Sequence, residues 1–504
     1  MKNKIRTFSF WLLITIIYLL SVIIEASSNW FDMRFGVAFE EVLFTITSPL
    51  AGSDVSFLDE AVEFVMPFVY GSLKWIAIPL LGAFALRLFL VQIGVRIRNF
   101  KFKFDLYNLY KIVCLVGVFV ILIDSIKYGV NIMGIDVYLE RKLDSTTIYD
   151  EYYVDPNSVA ITSNGEERNL IYVYLESMEN TYASVEVGGY QDVNYIPKLT
   201  EMASTYTSFS DTELLGGARL TSGANWTMAG LLCSTSGVPF SLPVGGNDMS
   251  TFENFMPGLT SLGQILEERG YNQMFLCGSD GTFGGRQSYF EQHGNYDVFD
   301  YYDAIDKGYI DKDYYVWWGY EDAKLYEVAK SEILEMAGKD EPFNFTMLTV
   351  DTHHVDGYIC EICGNNYDHQ LSNVVECADN QIYDFINWCK EQDFYENTTI
   401  IVTGDHFRMD SSLIPEGAER RLYNCYINSA KEPAGATTNR TFTSLDFFPT
   451  TLSAMGFDIE GNRLGLGTDL FSGDPTLAEE IGFDYLDTEL AKESRFYMKE
   501  LNKK

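Results

Sequence analysis

The sequence has few basic residues for its acidic content. Lysine and arginine together number 36, against 71 aspartates and glutamates, and the formal net charge is −35. A nucleic acid needs a basic protein surface to neutralise its phosphates, so this balance argues against nucleic acid as a partner. The chain also lacks internal repeats and low-complexity tracts, and aromatic residues make up 15% of it. This composition excludes a disordered chain, and 504 residues are enough for two or three compact units.

Cysteine is scarce, and outside the apolar N-terminal region its number is odd. One cysteine lies in an apolar run, and seven follow it: Cys233, Cys277, Cys360, Cys363, Cys377, Cys389 and Cys425. Cys360 and Cys363 have the spacing of a zinc-binding pair, which Cys377 and Cys389 could complete, but these two are not themselves closely spaced. We therefore favour disulfides, which form outside the cytoplasm, or buried thiols.

Three long apolar runs lie in the N-terminal region, 1–131. They cover 8–26, 72–95 and 109–130, and each is about long enough to cross a bilayer. No obvious small-residue cleavage site follows the first run, which favours a membrane anchor over a cleaved signal peptide. Segment 35–69 is apolar but interrupted by acidic residues and a proline. We predict that it is interfacial or re-entrant.

Basic residues flank the apolar runs unevenly. The first residues of the chain and the loop between the second and third runs carry lysines and arginines, whereas the loop between the first two runs carries many acidic residues. Basic loops stay on the cytoplasmic side of a membrane. Three spans would then place everything after about residue 132 outside the cytoplasm. This predicts a multi-pass membrane protein with an extracytoplasmic domain.

Strand and helix patterns alternate after a polar, irregular stretch over 132–168, which we predict to be a linker. Apolar runs rich in β-branched and aromatic residues end in polar residues at 169–177, 270–280, 343–354 and 398–406. Helical patterns lie between them, as at 258–270 and 321–338. The alternation predicts an α/β domain with a mainly parallel sheet and helices on both faces, over about 169–475, followed by a C-terminal tail over 476–504.

Polar residues at the ends of these strands form a candidate metal site. Parallel sheets bind ligands beyond the carboxyl ends of their strands, where Glu176, Asp405 and His406 lie. Two carboxylates and an imidazole suit a divalent ion such as Mn²⁺, Mg²⁺ or Zn²⁺. Taken singly, each residue has a simpler explanation, as a solvated or capping side chain where a strand meets its loop.

Thr227 begins a helical run of small and apolar residues, "TMAGLLCSTSG". A hydroxyl at a helix N-terminus can cap the helix, face a bound phosphate or, when a metal ion activates it, act as a nucleophile. The stretch alone favours a cap. His353 and His354 follow another strand and could hydrogen-bond or protonate a leaving oxygen, and Arg286 in a glycine-rich loop could contact a phosphate. Core or surface positions are the alternatives for these three.

The order of the motifs resembles one protein family. The segments "LESMENTY" (175–182), "WTMAGLLCSTSGVP" (226–239), "DTHH" (351–354), "GDH" (404–406), "SLDFFPTTLSAMGF" (444–457) and "NRLGLGTDLF" (462–471) carry the resemblance. They are similar to the lipoteichoic acid synthase and phosphoglycerol transferase I family, within the sulfatase and alkaline phosphatase superfamily. The resemblance implies a sulfatase-like catalytic domain outside a bacterial cell membrane.

The resemblance also implies a role for each matching residue. The metal ligands would be Glu176, Thr227, Asp405 and His406, with Thr227 also the nucleophile, and the substrate-binding residues would be His353, His354 and, less closely matched, Arg286. The implied reaction moves glycerophosphate from phosphatidylglycerol to a glycan or polyglycerolphosphate acceptor through a covalent intermediate on Thr227. His353 would assist the leaving diacylglycerol. The implied cofactor is one divalent ion, Mn²⁺ in preference to Mg²⁺ or Zn²⁺.

Other members of the superfamily provide alternatives. Lipoteichoic acid synthases carry a second histidine and a tryptophan before the matching arginine, where this chain has Cys277 and Gly284, so glycerol recognition is expected to differ. A phosphoethanolamine transferase or a sulfatase-like hydrolase shares much of the motif set. A sulfatase that matures a Cys or Ser in C/S-x-P-x-R is disfavoured, since neither Cys233 nor Ser241 begins that pattern. The non-enzymatic alternative is a membrane-anchored binding or sensor domain.

Overall fold

The computed structural model describes residues 2–35, 39, 56–89, 92–97, 100–163, 165, 167–241, 254–353 and 355–502. These residues form two compact units. The first contains the described residues up to Tyr138, and the second contains those from Leu139 onward.

Three long helices make up most of the first unit. They are α1 (Lys2–Phe35), α2 (Ser56–Phe89) and α3 (Leu106–Ile132), and α2 and α3 are joined by the antiparallel pair β1 (Gln92–Ile97) and β2 (Phe100–Asp105). Among the described residues, the helical stretches long and apolar enough to cross a membrane are Ile5–Met33, Ala61–Leu88 and Leu106–Ile132. Three apolar helices at the N-terminus therefore agree with the sequence pattern.

The middle helix differs from the predicted run over 72–95. It begins at Ser56, inside the segment predicted to be interfacial, and ends at Phe89, so the last residues of the predicted run lie in β1. The pattern after residue 91 alternates apolar and polar residues with a period of two, which favours a strand over a helix. Of the segment 35–69, residues 36–38 and 40–55 lie outside the described residues.

The rest of the described chain contains shorter elements. Its helices are α4 (Ile135–Leu143), α5 (Ile148–Tyr152), α6 (Pro197–Thr205), α7 (Thr227–Ser236), α8 (Leu262–Glu267), α9 (Arg286–Gln292), α10 (Tyr301–Asp306), α11 (Asp322–Ala337), α12 (Gln370–Lys390), α13 (Phe447–Ala454), α14 (Leu477–Ile481) and α15 (Phe483–Leu490). Its strands are β3 (Ser145–Thr146), β4 (Ile161–Ser163), β5 (Asn169–Leu175), β6 (Asn272–Cys277), β7 (Asp297–Phe299), β8 (Phe343–Leu348), β9 (Thr398–Gly404), β10 (Asn424–Ile427), β11 (Phe457–Ile459), β12 (Arg463–Leu464), β13 (Gly467–Thr468) and β14 (Glu493–Ser494).

A six-stranded sheet forms the centre of the second unit, in the order β10-β9-β5-β8-β6-β7. Neighbouring strands from β9 to β7 are parallel, and only the edge strand β10 runs antiparallel to its neighbour. The prediction of an α/β domain with a mainly parallel sheet is confirmed. The four predicted strand runs correspond to β5, β6, β8 and β9.

Helices cover both faces of this sheet. Alternate residues of β5 enter two different hydrophobic clusters: Leu170, Tyr172 and Tyr174 join one, and Ile171, Val173 and Leu175 join the other. The first cluster includes residues of α7, α8 and α13, and the second includes residues of α6, α11 and α12. Because a strand buried on both faces is apolar throughout, β5 has a continuous apolar run without polar alternation.

The stretches predicted as an irregular linker and a tail are both packed structure. Within 132–168, β4 pairs with β11 and β3 pairs with β14, which belongs to the predicted tail. Ile148, Leu486 and Leu501 are buried in one hydrophobic cluster with the sheet. The elements in these stretches are so short that each buries few side chains, which leaves no clear hydrophobic period in the sequence.

Candidate active site

Two neighbouring parallel strands place the predicted carboxylates side by side. Leu175 of β5 and Gly404 of β9 are register partners, so Glu176 and Asp405 both leave the sheet at the same edge. The ligand atoms of Glu176, Asp405 and His406 all lie within 4.8 Å of one another, and all three residues are buried. The three residues predicted from separate strand ends thus form one cluster.

His406 directs one ring nitrogen at this cluster. Its Nδ1 lies 2.7 Å from the carbonyl oxygen of Phe407, which assigns the proton to Nδ1 and leaves the lone pair on Nε2. Nε2 lies 3.4 Å from Oε1 of Glu176 and 3.5 Å from Oδ2 of Asp405. An imidazole held in this way by a backbone carbonyl is oriented as metal-binding histidines are.

Thr227 supplies a fourth polar atom. Its Oγ1 lies 3.3 Å from Nε2 of His406. Thr227 is the first residue of α7, and it is the residue of that helix that is not buried. The residue before it, Trp226, is the N-cap and makes no side-chain capping bond. The interpretation of Thr227 as the cap is therefore wrong, because its hydroxyl faces His406 across the site.

A glycine allows α7 to approach the strand end closely. Gly230 lies one turn after Thr227, and a Cβ added there would lie 2.0 Å from the carbonyl oxygen of Asp405. No other residue type fits this contact without a shift of the helix or the loop. The small side chains of the run that begins at Thr227 are thus explained by the contact between α7 and the loop after β9.

The electrostatics of the two carboxylates differ strongly. Burial and then the charge of Glu176 raise the pKa of Asp405 to about 7. Burial would also raise the pKa of Glu176, but the neighbouring His406 and His353 hold it well below its usual range. Two buried carboxyl groups this close repel each other when both are ionised.

The donor set fits a divalent cation. Oδ2 of Asp405 is buried and accepts no hydrogen bond from any part of the chain that the structure describes. Its other oxygen accepts from the backbone N–H groups of Ser177 and His406, each at 2.8 Å, which fixes the carboxylate in place. Two carboxylates and one imidazole that converge in this way suit Mn²⁺, Mg²⁺ or Zn²⁺.

A small cavity, open to solvent on one side, lies beside this cluster. Its lining includes Glu176, Thr227, Arg286 and His353, so the structure brings these predicted residues to one place. His354 lies outside the described residues. The Thr227 residue can therefore be reached through this cavity.

Arg286 is a buried wall of this cavity and not a surface residue. Its guanidinium donates to Oγ of Ser279 at 3.0 Å and to the carbonyl oxygens of Asp280 and Phe283 at 2.7 and 3.0 Å. These bonds to its own loop fix the side chain in the cavity wall. A fixed guanidinium is well suited to contact an anionic ligand.

His353 is enclosed by two tryptophans that the sequence analysis did not identify. The rings of Trp318 and His353 are 5.0 Å apart, and those of Trp317 and His353 are 6.0 Å apart. Trp318 also lines the cavity. The signal in the sequence was the pair "WW" in "YYVWWGYED", since the chain has only seven tryptophans.

Arg408 connects the two loops that carry His406 and His353, and it too was missed. Its guanidinium donates to the carbonyl oxygen of Thr352 at 2.9 Å and to Oδ2 of Asp410 at 2.6 Å. The side chain is fully buried. Charged residues directly after a strand-end motif, as in "GDHFRMD", are the signal that could have identified it.

Three of the eight cysteines form a second cluster, and no two of the eight are joined in a disulfide. The sulfurs of Cys360, Cys363 and Cys377 all lie within 4.8 Å of one another. Cys389 does not belong to this group, because it follows Cys377 on α12 by about 18 Å of helix at 1.5 Å per residue. Of the two alternatives that the sequence favoured, the structure therefore agrees with buried thiols and not with disulfides. Cys389 is excluded as a fourth member of the cluster.

Comparison with known proteins gives matches over most of the chain. Residues 168–457 match the family model described as Sulfatase. The chain is 27% identical over 445 residues to phosphoglycerol transferase I from Escherichia coli O6:K15:H31 (strain 536 / UPEC), which covers 86% of this chain and 53% of that protein. The chain thus spans about half the length of the curated relatives it matches.

The chain is also similar to two solved structures. One is the integral membrane protein lipooligosaccharide phosphoethanolamine transferase A (EptA) from Neisseria meningitidis, with 13% identity, a TM-score of 0.49, and coverage of 88% of this chain and 84% of that one. The other is the lipoteichoic acid synthase LtaP from Listeria monocytogenes, with 18% identity, a TM-score of 0.47, and coverage of 64% of this chain and 81% of that one.

Proposed function

The chain belongs to the sulfatase family, and on this premise we propose that it is a membrane-anchored phosphoglycerol transferase. It would move glycerophosphate from phosphatidylglycerol to a glycan or polyglycerolphosphate acceptor. The observation that carries the proposal is the convergence of the Thr227 hydroxyl with Glu176, Asp405 and His406 at one edge of the sheet. The relatives named phosphoglycerol transferase I support the choice of the transferred group.

Glu176, Asp405 and His406 would hold one divalent ion, with Mn²⁺ the first choice. When bound, such an ion would favour ionisation of an adjacent hydroxyl and offset the charge of the phosphate oxygens. Nε2 of His406 and the unpaired Oδ2 of Asp405 are the atoms that the protein offers for this purpose. Oγ1 of Thr227 would be the fourth protein ligand of the ion.

In the first step, Thr227 Oγ1 attacks the phosphorus atom of the donor phosphodiester. A new bond forms between Oγ1 and phosphorus, and the bond from phosphorus to the diacylglycerol oxygen breaks. The threonine proton passes to solvent, and the imidazole of His353 donates a proton to the leaving oxygen. The product is a glycerophosphate ester of Thr227.

The helix that begins at Thr227 would hold the phosphate for this attack. The side chain of the N-cap residue Trp226 makes no capping bond to α7, so the N–H groups of the first turn and the positive end of the helix dipole would be available to a phosphate. Arg286 adds a fixed positive charge in the cavity wall. Phosphate oxygens bound between these groups would leave phosphorus facing Oγ1 of Thr227.

In the second step, a hydroxyl of the acceptor attacks the same phosphorus. His353 accepts the proton of that hydroxyl, the bond between phosphorus and Oγ1 breaks, and Thr227 takes up a proton from solvent. The glycerophosphate is then joined to the acceptor. Trp317 and Trp318 would hold the His353 ring in one orientation through both steps.

The N-terminal helices would place this chemistry at a membrane surface. We propose that α1, α2 and α3 cross the membrane and that the catalytic domain lies on the extracytoplasmic side, as the basic loops indicate. Tethering to the bilayer would keep the site at a high effective concentration of lipid headgroups. The protein would then take part in the biogenesis of the cell envelope.

The test is a search for the covalent intermediate. The full chain in detergent micelles is incubated with phosphatidylglycerol, labelled in its terminal glycerol, and Mn²⁺, and peptides are analysed by mass spectrometry. We expect a labelled glycerophosphate on Thr227 and none in Thr227→Ala. Thr488→Ala, which removes an exposed hydroxyl on α15, is the matched control and should keep the adduct.

Other outcomes separate the alternatives. An adduct that forms from phosphatidylethanolamine and not from phosphatidylglycerol would identify a phosphoethanolamine transferase. Lipid binding without any adduct in the unsubstituted protein would favour a binding or sensor domain. Transfer that survives Thr227→Ala would show that another group is the nucleophile.

A further inference from the structure

Three cysteines converge outside the candidate active site. Cys360 and Cys363 lie in a loop, and Cys377 lies on α12. The sulfur of Cys360 is 3.4 Å from that of Cys363 and 3.8 Å from that of Cys377. Four ligands at about 2.3 Å from a zinc ion in a tetrahedron are spaced by about 3.8 Å. The sulfurs of Cys363 and Cys377 also lie within 4.8 Å of each other, so the three sulfurs are spaced closely enough to occupy three corners of such a site.

The loop has the local form that a metal-binding cysteine pair requires. Cys360 and Cys363 are separated by two residues, and the N–H of Cys363 donates to the carbonyl oxygen of Cys360 at 3.2 Å, which closes a turn. The two sulfurs that this turn brings together are 3.4 Å apart. Metal ions bind cysteine as the thiolate, and two cysteines in one such turn can bind the same ion.

A buried carboxyl group lies near Cys360. Asp351 is 2% exposed, and neither of its carboxylate oxygens has a hydrogen-bond partner among the described residues. Asp351 lies close enough to Cys360 for the two groups to interact electrostatically. A buried carboxyl group without a hydrogen-bond partner is costly when it is ionised, and a cation bound to the sulfur of Cys360 would lower that cost.

We propose that Cys360, Cys363 and Cys377 form a second metal site, which takes one thiophilic divalent ion of the Zn²⁺ class. Each thiol would lose its proton to solvent on binding, and the sulfur–metal bonds would form without any oxidation. Cys363 is only partly buried, so a water molecule can reach the fourth position. A disulfide would use two of the sulfurs and leave the third without a partner.

The site would fasten the loop that carries His353 to the body of the domain. Residues 349–363 run from the end of β8 through His353 to the cysteine pair, and Cys377 lies on a helix packed against the sheet. Tyr358, in the same loop, stacks on Trp317 at 6.1 Å between ring centroids. A metal bound to the three thiols would cross-link this loop to α12 at a point two residues beyond Tyr358.

Cobalt is the probe for this site, because thiolate–cobalt bonds give a charge-transfer absorption in the near ultraviolet that oxygen and nitrogen ligands do not give. The full chain, purified in detergent with reduced thiols and without metal, is titrated with Co²⁺ and the band is followed. We expect the band to saturate at one equivalent per chain and to disappear on addition of one equivalent of Zn²⁺. This readout is independent of transferase activity.

Substitutions show which cysteines give rise to the charge-transfer band. Cys363→Ser and Cys377→Ser should each lose it, and their zinc content should fall by one equivalent per chain. Cys389→Ser, which replaces a buried cysteine on the same helix as Cys377, should keep both. Glu176→Gln should also keep the band, since it alters only the candidate active-site cluster.

The unsubstituted protein provides a measurement that does not depend on how the variants fold. Zn²⁺ should protect three thiols from a thiol-modifying reagent, and a chelator should restore their reactivity. A disulfide between any two of the three cysteines in the protein as isolated would overturn the proposal. So would a folded, reduced protein that shows no charge-transfer band, or a band that persists in both Cys363→Ser and Cys377→Ser.

Discussion

The hydroxyl oxygen of Thr227 lies 3.3 Å from Nε2 of His406, although 179 residues separate the two in the chain. Thr227 begins a helix and His406 follows a strand, so their contact depends on how closely α7 packs against the end of the sheet. Gly230 makes that packing possible, since any Cβ there would meet the backbone of Asp405.

Gly230→Ala should therefore displace the Thr227 hydroxyl from His406. The added methyl group must push α7 or the loop away from a contact of 2.0 Å, which is expected to cost about 1–3 kcal/mol of stability. A displacement of about 1 Å at a reacting atom lowers the transfer rate by about a hundredfold. Thermal unfolding and the initial rate of transfer measure the two effects.

Gly338→Ala is the matched control. A Cβ at this position at the end of α11 would lie 3.4 Å from the carbonyl oxygen of Leu334, an ordinary contact, and the backbone there has φ of −78°. Its stability should stay within about 0.5 kcal/mol of the unsubstituted protein. Equal effects of the two substitutions would contradict the role assigned to Gly230.

Glu176→Gln should weaken binding of Mn²⁺ at the candidate active site. The amide keeps the shape of the side chain but removes the negative charge, and we expect the affinity to fall by at least about tenfold, since even supporting residues of metal sites contribute that much. Isothermal titration with Mn²⁺, which binds thiolates poorly, measures this site separately from the cysteine cluster. Glu268→Gln, an exposed glutamate, should bind as the unsubstituted protein does.

Arg408→Met should destabilise the fold more than most substitutions. It leaves the carboxylate of Asp410 without the two buried hydrogen bonds that it accepts from Nε and Nη2 of Arg408. Removal of one partner of a buried ion pair costs about 3–5 kcal/mol. The midpoint of thermal unfolding measures the loss. Arg495→Met, at an exposed arginine, should change it little.

A double substitution tests the cause of that loss. Arg408→Met combined with Asp410→Leu removes both charges, so part of the stability should return. No recovery would mean that the contact between Arg408 and the carbonyl oxygen of Thr352 accounts for the effect.

Asp379→Asn should flatten the dependence of stability on pH. Burial raises the pKa of Asp379 from 3.8 to about 7 in the folded protein, although the N–H groups of Leu199 and Lys198 at the start of α6 oppose the shift. A group with a raised folded pKa stabilises the fold fully below its unfolded pKa, and this contribution is lost as the pH rises through 7. The loss amounts to about 4 kcal/mol at most.

Unfolding at pH 4 and pH 8 tests this sign. The difference in unfolding free energy between the two pH values should be smaller in Asp379→Asn than in the unsubstituted protein, whatever the constant cost of the amide. Asp384→Asn, an exposed aspartate on the same helix, is the control and should leave the difference unchanged. A steeper pH dependence in Asp379→Asn would contradict the assignment.

The central strands and the ligand cluster were predictable because both depend on short stretches of sequence. β5, β8 and β9 are buried strands followed by polar residues, and parallel strands bring such ends to one edge. Glu176 and Asp405 could therefore be paired before their register was known. Whether Thr227 is the N-cap or the first residue of α7 could not be predicted in the same way, since the local sequence is compatible with both positions.

Other contacts depend on loop conformation, which the residue pattern leaves open. Trp318 reaches His353 from a segment between α10 and α11, and no periodicity marks that approach. The short elements of 132–168 and 476–504 pack against each other through β3 and β14, which are two residues long. Elements this short leave too few buried positions to show a period.

The sequence by itself determined the apolar N-terminal helices, the parallel sheet and the residues at the strand ends, because burial on one face or both imposes a repeating pattern on neighbouring residues. The residue pattern did not show that α7 packs closely against Asp405 at Gly230, that Arg408 joins two loops, or that Cys377 meets Cys360 and Cys363 while Cys389 does not. These follow only from the tertiary structure. Each of these depends on the distance between segments far apart in the chain. That distance is set by the packing of whole helices on the sheet.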